Sequence, residues 1–158
     1  MQRSHFGRYQ ILSSLGTGAS AEVYRALLPQ TNGTKKEVAL KIFSRVSEHS
    51  DVVREARYGR KISHPNIVKT YCYSQYKGLF FIEMEYVDGG SVTDLIQKYG
   101  ILDEAMITEL IRQAAQGLNY LHRYAGNEGG MIHSDLKPSN LLLTKSGLVK
   151  ITDLGIAH

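Results

Sequence analysis

The sequence of 158 residues has little cysteine and no long apolar run. Its one cysteine, Cys72, excludes an internal disulfide, and six widely spaced histidines beside it give no zinc-binding pattern. The longest apolar runs, such as LFFI and LLL, are far shorter than the roughly 18 to 20 residues of a membrane-spanning helix. The start, MQRSHFGRYQ, lacks the apolar segment of a secretory signal. We therefore expect a chain without a membrane span that resides in the cytoplasm.

The sequence also lacks clusters of like charge. Its net charge of +4 arises from lysines and arginines that are scattered along the chain. A mild positive charge favours anionic partners, but a scattered one is more typical of a solvated surface than of a nucleic-acid interface. We therefore expect no nucleic-acid partner.

The first half of the chain has the alternating pattern of β-strands. The segments YQILSSLG, AEVYRALLP and KEVALKIF follow one another with short turns, which predicts an antiparallel meander. A charged segment comes next, and its thin apolar stripe of Val52, Ala56, Gly59 and Ile62 predicts a helix. Two more strands, IVKTYCYSQ and LFFIEMEYV, are expected after it.

The second half is mainly helical by its pattern. A helix is predicted from about Asp103 to His122, because apolar residues recur there at helical spacing: Ile107, Ile111, Ala114, Leu118 and Leu121. Two short strands, LLLT and LVKITD, follow it. The predicted fold class is α+β: a five-stranded antiparallel sheet with one helix, joined near VDGG to a mainly helical part.

A glycine-containing stretch, LGTGASAEV, lies between the first two strands. Glycines 16 and 18 would let backbone amides approach an anion closely, because no side chain blocks the approach. A plain hairpin turn explains the two glycines equally well. A P-loop is excluded since no Gly-Lys-Ser/Thr follows, and a strand follows where a dinucleotide-binding turn would open a helix.

Lys41 lies within the strand VALKIF. With a period of two, it shares one face with Ala39 and Phe43. A lysine that extends to water is one explanation. A partly desolvated lysine needs an anionic partner, and Glu55 on the following helix is well placed to be that partner.

The third candidate for a functional site is a set of polar residues near the end of the sequence, in MIHSDLKPSN. Asp135, Lys137 and Asn140 share this short segment, and Asp153 ends the next hairpin. Oxygen ligands from an asparagine and an aspartate suit magnesium, and a second aspartate off the metal is free to accept a proton. Each feature alone could be a polar turn, but all four in this order favour a catalytic site.

Taken together, these motifs closely resemble the signature set of the eukaryotic-type protein kinases, of the serine/threonine type. LGTGASAEV resembles the glycine-rich loop, VALK the strand lysine, HSDLKPSN the catalytic loop and DLG the magnesium-binding motif. Glu55 stands where this family keeps its helix glutamate. The resemblance implies an incomplete kinase domain over residues 9–158, with an N-lobe at 9–86 and a hinge with a partial C-lobe at 87–158.

The resemblance also implies the roles of individual residues. Asp135 would be the catalytic base and Lys137 would balance charge on the transferring phosphoryl group. Asn140 and Asp153 would bind Mg²⁺. The residues implied to bind ATP are Leu15, Gly16, Thr17, Gly18, Ala19, Val23, Ala39, Lys41, Glu55, Met84, Glu85, Val87 and Leu142.

The chain departs from the family pattern in several ways. Ala21 replaces the third glycine of the glycine-rich loop. Ser134 replaces the arginine that usually precedes the catalytic aspartate. Because that arginine binds a phosphate on the activation loop in this family, its absence argues against switching by activation-loop phosphorylation. No activation segment follows DLG, so a fragment is expected that leaves part of helix 103–122 exposed and self-associates or binds a partner there.

We expect phosphoryl transfer from ATP to serine or threonine hydroxyls of proteins. The main alternative is a nucleotide-binding interaction module without turnover. A small-molecule kinase of related fold is disfavoured by DLKPSN.

Overall fold

The computed structural model describes residues 4–18, 20–44, 49–124 and 131–154. The chain forms two compact units. The first comprises Met1–Arg57 and Thr70–Tyr86, and the second comprises Tyr58–Lys69 and Val87–His158.

The first unit contains a six-stranded antiparallel sheet. Its strands are β1 (His5–Phe6), β2 (Tyr9–Thr17), β3 (Ala21–Pro29), β4 (Lys35–Phe43), β5 (Thr70–Tyr76) and β6 (Leu79–Glu85). They lie in the order β1-β2-β3-β4-β6-β5. The predicted meander is confirmed, but the sheet has one strand more than the five predicted. The turn at Gly7, whose φ is 57°, brings Phe6 back to pair with Tyr9 and so creates β1.

The two faces of this sheet differ in character. One face carries the core of the first unit, in which buried side chains of β3, β4 and β6 pack with Phe6 and Tyr9. Cross-strand pairs share a face, and Val23 pairs with Lys41 while Ala39 pairs with Met84. Because residues alternate along a strand, these four side chains lie on the face opposite the core. The alternation expected for β4 is therefore present.

Helix α1 (His49–Lys61) connects β4 to the segment before β5. Its predicted apolar stripe is buried: Val52 and Ala56 are fully enclosed, Gly59 is buried, and so is Ile62, which directly follows the helix. The division between the two units falls within this helix, after Arg57.

The second unit contains α2 (Val92–Tyr99), α3 (Glu104–Tyr124), a 3₁₀ turn at Pro138–Asn140 and a hairpin of β7 (Leu141–Leu143) and β8 (Val149–Ile151). The α2 helix begins with a capping box, in which Ser91 and Asp94 bond reciprocally to each other's backbone amides. The main core of this unit consists of Ile62, Ile67, Leu121, Met131, Ile151 and Leu154. None of the helices formed by the described residues combines the length and the hydropathy needed to span a membrane.

The α3 helix matches the predicted segment closely, and part of its apolar stripe is exposed, as expected from the sequence. Leu121 and Ala114 are buried, whereas Ile107 and Ile111 are 42% and 63% exposed. The buried face also includes Gln113 and Gly117. A Cβ atom on Gly117 would lie 2.8 Å from Ile151 Cδ1 and 3.0 Å from the carbonyl oxygen of Asn66. Glycine thus lets α3 pack directly against β8 and the segment around Asn66.

Candidate active site

Lys41 and Glu55 form an ion pair in the first unit. Lys41 Nζ lies 2.7 Å from Glu55 Oε1, and the two side chains are only 14% and 23% exposed. β4 supplies the lysine on the sheet face opposite the core, and α1 supplies the glutamate. A charge so far removed from water needs a close counter-charge, and each residue provides it for the other. The pairing predicted from the sequence is present.

The glycine-containing stretch forms the tip of the β2–β3 hairpin. Gly16 pairs with Val23, Thr17 pairs with Glu22, and the Gly18 amide donates to the carbonyl oxygen of Ala21 at 2.8 Å. Leu15 is exposed on β2, and Ala19 lies outside the described residues.

Neither predicted loop glycine is required by the local structure. Gly16 and Gly18 have no positive φ, and a Cβ atom on Gly16 would meet nothing within 4 Å among the described residues. On Gly18 it would make only an ordinary contact, 3.5 Å from the carbonyl oxygen of Ala21. A plain hairpin turn therefore does not account for these glycines, which favours the alternative of close approach by a ligand.

Three residues expected near adenine share the sheet face that carries Lys41. Ala39 and Met84 are buried and Val23 is half-buried. Glu85 ends β6, opposite Val38. The first unit therefore combines an apolar strip with a cation on one face.

Two further residues that were expected near adenine belong to the second unit. Val87 is buried, and Leu142 lies half-buried on β7, where it forms a bridge with Ser91. Leu142 is therefore held by a strand, whereas Val87 lies in the segment between β6 and α2.

The catalytic-loop residues are brought together in the second unit. Lys137 Nζ donates to Asp135 Oδ2 at 2.7 Å, and both side chains are mostly exposed. The hydrogen bond from Lys137 holds the pKa of the Asp135 carboxyl below its usual value. The buried Asn140 side chain donates from Nδ2 to the carbonyl oxygen of Asp135 at 2.8 Å. These contacts favour the ionised form of Asp135 and hold the loop that carries it.

Asp153 is tied to Asn140 through its neighbour in sequence. The Thr152 amide donates to the carbonyl oxygen of Asn140 at 3.0 Å. His133 Nε2 donates to the carbonyl oxygen of Thr152 at 2.9 Å. Asp153 itself has a φ of 50°, a left-handed conformation that is uncommon outside glycine. The backbone therefore places the two predicted metal ligands at adjoining points of one loop cluster.

The donor set at this cluster fits a magnesium ion. The Asn140 Nδ2 atom donates to Asp135. None of the described residues donates a hydrogen bond to Asn140 Oδ1, so this oxygen is available to a cation. Asp153 adds a carboxylate. No group of three or more acidic, histidine or cysteine residues suited to a metal occurs among the residues that the structure describes. Magnesium does not need such a group, because it is commonly held by one or two protein oxygens together with substrate phosphates and waters.

Two buried polar residues of the second unit were missed by the sequence analysis. Asn66 and Gln113 hydrogen-bond each other and the backbone of β8. In the sequence, Asn66 indicated only a break after α1, and Gln113 lies outside the apolar stripe of α3. The one indication in the sequence was that Gln113 lies next to apolar residues of the predicted helix, such as Ala114.

Comparison with known proteins identifies the family. Residues 9–158 match the protein kinase domain. The chain is 36% identical over 162 residues to the serine/threonine-protein kinase PknD of Mycobacterium tuberculosis, covering 98% of this chain and 23% of that protein. It is 35% identical over 159 residues to the serine/threonine-protein kinases drp72 of Corynebacterium efficiens, covering 94% of this chain and 29% of that protein. It is 34% identical over 151 residues to mitogen-activated protein kinase kinase 1 of Arabidopsis thaliana, covering 94% of this chain and 41% of that protein.

The chain therefore spans less than half the length of each of these relatives. The match to the kinase domain nevertheless extends over nearly the whole chain, and the fold class expected from the sequence is confirmed. The chain belongs to the protein kinase domain family.

Proposed function

We propose that this chain carries the ATP-dependent, magnesium-dependent phosphoryl-transfer site of a kinase that acts on serine and threonine hydroxyls of proteins. The observation that carries the proposal is the arrangement around Asn140. Its amide supports Asp135, its Oδ1 is left for a cation, and its backbone is tied to the residue before Asp153. A polar turn alone gives no reason for this combination.

We assign the nucleotide to the residues expected from the sequence. Lys41, oriented by Glu55, would bind a phosphate, and the amides at Gly16, Thr17 and Gly18 would approach the phosphates closely. The apolar strip of Val23, Ala39 and Met84, together with Leu142, would contact the base. Backbone groups near Glu85 and Val87 would bond its polar edge, and Leu15 and Ala19 would complete the loop.

Asp135 would orient the acceptor hydroxyl and take its proton. A carboxylate whose pKa is lowered by Lys137 is fully ionised at neutral pH and has an oxygen available to accept. Lys137 would lie near the transferring phosphoryl group and balance its charge. Mg²⁺ held by Asn140 and Asp153 would neutralise charge on the phosphates. Positioning and electrostatics of this kind account for most catalysis of phosphoryl transfer.

A nucleotide titration tests the proposal. The chain is titrated with a fluorescent ATP analogue in the presence and absence of Mg²⁺, beside Lys41→Ala and Asp153→Ala. Lys35→Ala is the matched control, because Lys35 is an exposed lysine on the same strand. We expect both site variants to weaken Mg²⁺-dependent binding and the control to bind as the wild type does. Equal binding by all four proteins would contradict the assigned site.

We propose self-association of the isolated chain through α3, supported by the exposure of Ile107 and Ile111. The cytoplasmic location and the domain boundaries stay predictions.

A further inference from the structure

Both edges of β8 are fully hydrogen-bonded, although only one of them pairs with a strand. On the outer edge, the Val149 amide donates to Gln113 Oε1 at 2.8 Å, and the Val149 carbonyl oxygen accepts from Asn66 Nδ2 at 2.9 Å. The Ile151 amide donates to the carbonyl oxygen of Asn66, and the Ile151 carbonyl oxygen accepts from the Val68 amide, each at 2.9 Å. Two side-chain bonds and two backbone bonds thus replace a neighbouring strand.

The two side chains that complete this edge also bond each other. Asn66 Nδ2 donates to Gln113 Oε1 at 3.2 Å, and the residues are only 3% and 8% exposed. Gln113 Nε2 donates to Glu109 Oε1 at 2.8 Å and to the carbonyl oxygen of Gly147 at 3.2 Å. Asn66 Nδ2 and both polar atoms of the Gln113 amide are therefore bonded within the unit, and loss of either residue would leave buried backbone groups unpaired.

The strand held in this way leads directly to the proposed metal ligands. β7 and β8 share only three residue pairs, and a two-stranded hairpin of that length is marginal by itself. Asp153 lies two residues beyond Ile151, and the intervening Thr152 bonds to the backbone of Asn140. The position of Asp153 relative to Asn140 therefore depends on how firmly β8 is fixed.

We infer that Asn66 and Gln113 are positioning residues for the magnesium ligands Asn140 and Asp153, acting through the outer edge of β8. The inference rests on the proposed function. It differs from a purely stabilising role in one measurable respect. A residue that only stabilises the fold changes the folded fraction, whereas a positioning residue changes the Mg²⁺ concentration that the folded protein requires.

The test is the Mg²⁺ concentration that gives half-maximal binding of a fluorescent ATP analogue, with the folded fraction measured by circular dichroism. Gln113→Leu removes the amide while keeping an apolar side chain. We expect it to raise the half-saturating Mg²⁺ concentration about tenfold, as is common when residues that orient metal ligands are lost. Binding without Mg²⁺ should stay within about twofold of wild type, since the nucleotide contacts themselves are untouched.

Two further variants provide the controls. Lys150→Met changes a residue that is as buried as Gln113. Lys150 Nζ donates a hydrogen bond to the carbonyl oxygen of Pro65, the residue before Asn66. We expect its half-saturating Mg²⁺ concentration to stay within about twofold of wild type, because the bonded edge of β8 is kept. Gln116→Leu makes the same substitution at an exposed position of α3. It should keep the wild-type Mg²⁺ requirement.

The outcomes separate the inference from the proposed function. If the wild-type chain shows no Mg²⁺-dependent nucleotide binding, the proposed function fails, and the inference fails with it. If the wild type binds but Gln113→Leu and Lys150→Met require the same Mg²⁺ concentration, only the inference is overturned. If Gln113→Leu does not fold, Asn66→Asp takes its place, because it keeps the volume and removes the Nδ2 donor.

Discussion

Asp135 lies on an exposed loop, yet its neighbours favour the ionised carboxylate and hold its backbone in position. Lys137 lowers its pKa and Asn140 holds its backbone. We therefore predict that, in a protein that carries a whole kinase domain, Asp135→Asn lowers phosphoryl transfer by at least about 100-fold, the usual range for loss of a general base. Affinity for Mg²⁺-ATP should change little, because Asp135 is assigned to the acceptor hydroxyl. Radiolabel transfer and nucleotide titration measure the two quantities.

The control for this substitution is Ser134→Ala, a change at the exposed neighbour that leaves the carboxylate in place. It should keep wild-type transfer. An Asp135→Asn protein with near wild-type turnover would refute the role assigned to Asp135.

His64 provides a pH-dependent contribution to stability. Burial, with a smaller effect of Lys150, holds the pKa of His64 below 6.5, and Nδ1 accepts a hydrogen bond from the Asn66 amide at 3.1 Å. The unfolded chain therefore binds the proton more readily than the folded one. The contribution of His64 to the free energy of unfolding is present above about pH 6.5 and is lost as the pH falls through the lower folded pKa.

Urea unfolding at pH 7.5 and pH 5.5 tests this prediction. We expect His64→Gln to be less stable than wild type at pH 7.5 and to lose part of the wild-type decrease at pH 5.5. His122→Gln, at an exposed histidine of α3, should keep the full decrease. An unchanged pH dependence in His64→Gln would exclude His64 as its source.

At the scale of elements, α3 explains where the sequence pattern succeeded and where it failed. The helix and most of its length were predicted, because apolar residues recur at helical spacing. The buried face was predicted only in part, since an apolar pattern does not register Gly117 and Gln113. Glycine allows close backbone approach, and glutamine is buried here because its partners include Asn66, 47 residues away in sequence. Such partners have no periodic signal.

The close packing at Gly117 leads to a stability prediction. Alanine is the better helix former by about 1 kcal/mol, so Gly117→Ala would stabilise an isolated helix. In this protein the added Cβ atom would lie 3.0 Å from a backbone oxygen of Asn66 and 2.8 Å from Ile151 Cδ1. We therefore expect a net loss of about 1 to 3 kcal/mol in the free energy of unfolding, as for other overpacked cores.

Gln116→Ala is the matched control for this substitution, because the neighbouring Gln116 is exposed on the same helix. Its free energy of unfolding should stay the same or rise slightly. If urea unfolding finds Gly117→Ala as stable as wild type, α3 must be able to move away from β8.

At the scale of the whole molecule, strand pairing was the most predictable feature. The five longer strands alternate clearly, and alternation fixes which residues share a face, so Lys41 could be grouped with Ala39 from the sequence. The pairing of Lys41 with Glu55 was predicted because a partly desolvated lysine needs an anionic partner. The two-residue strand β1 was not predictable, since two residues carry no period and the strand depends on the turn at Gly7. The hydrogen bond from the Thr152 amide to the carbonyl oxygen of Asn140 could not be predicted either, because it joins two backbone groups and requires no particular side chain.

The apolar surface of the second unit leads to a prediction about association. Ile101 is 99% exposed, and Ile107 and Ile111 lie one turn apart on the open side of α3. Burying a large aliphatic side chain completely contributes roughly 1.5 to 3 kcal/mol. The two isoleucines on α3, together with Ile101 just before the helix, add to the apolar surface in water, and large patches of that kind often mark interaction sites. We therefore predict that the isolated chain self-associates as its concentration rises.

Sedimentation velocity over a range of protein concentrations tests this prediction. Ile107→Glu with Ile111→Lys replaces the exposed pair by opposite charges at an i,i+4 spacing that supports a helix. This double variant should stay monomeric at concentrations where the wild type associates, with unchanged circular dichroism. Thr108→Glu with Arg112→Lys introduces the same pair of charged residues at exposed positions of α3 without removing apolar surface, and it should associate as the wild type does. A wild-type chain that sediments as a monomer at every concentration would show that these isoleucines are tolerated in water, and α3 would then have no role in association.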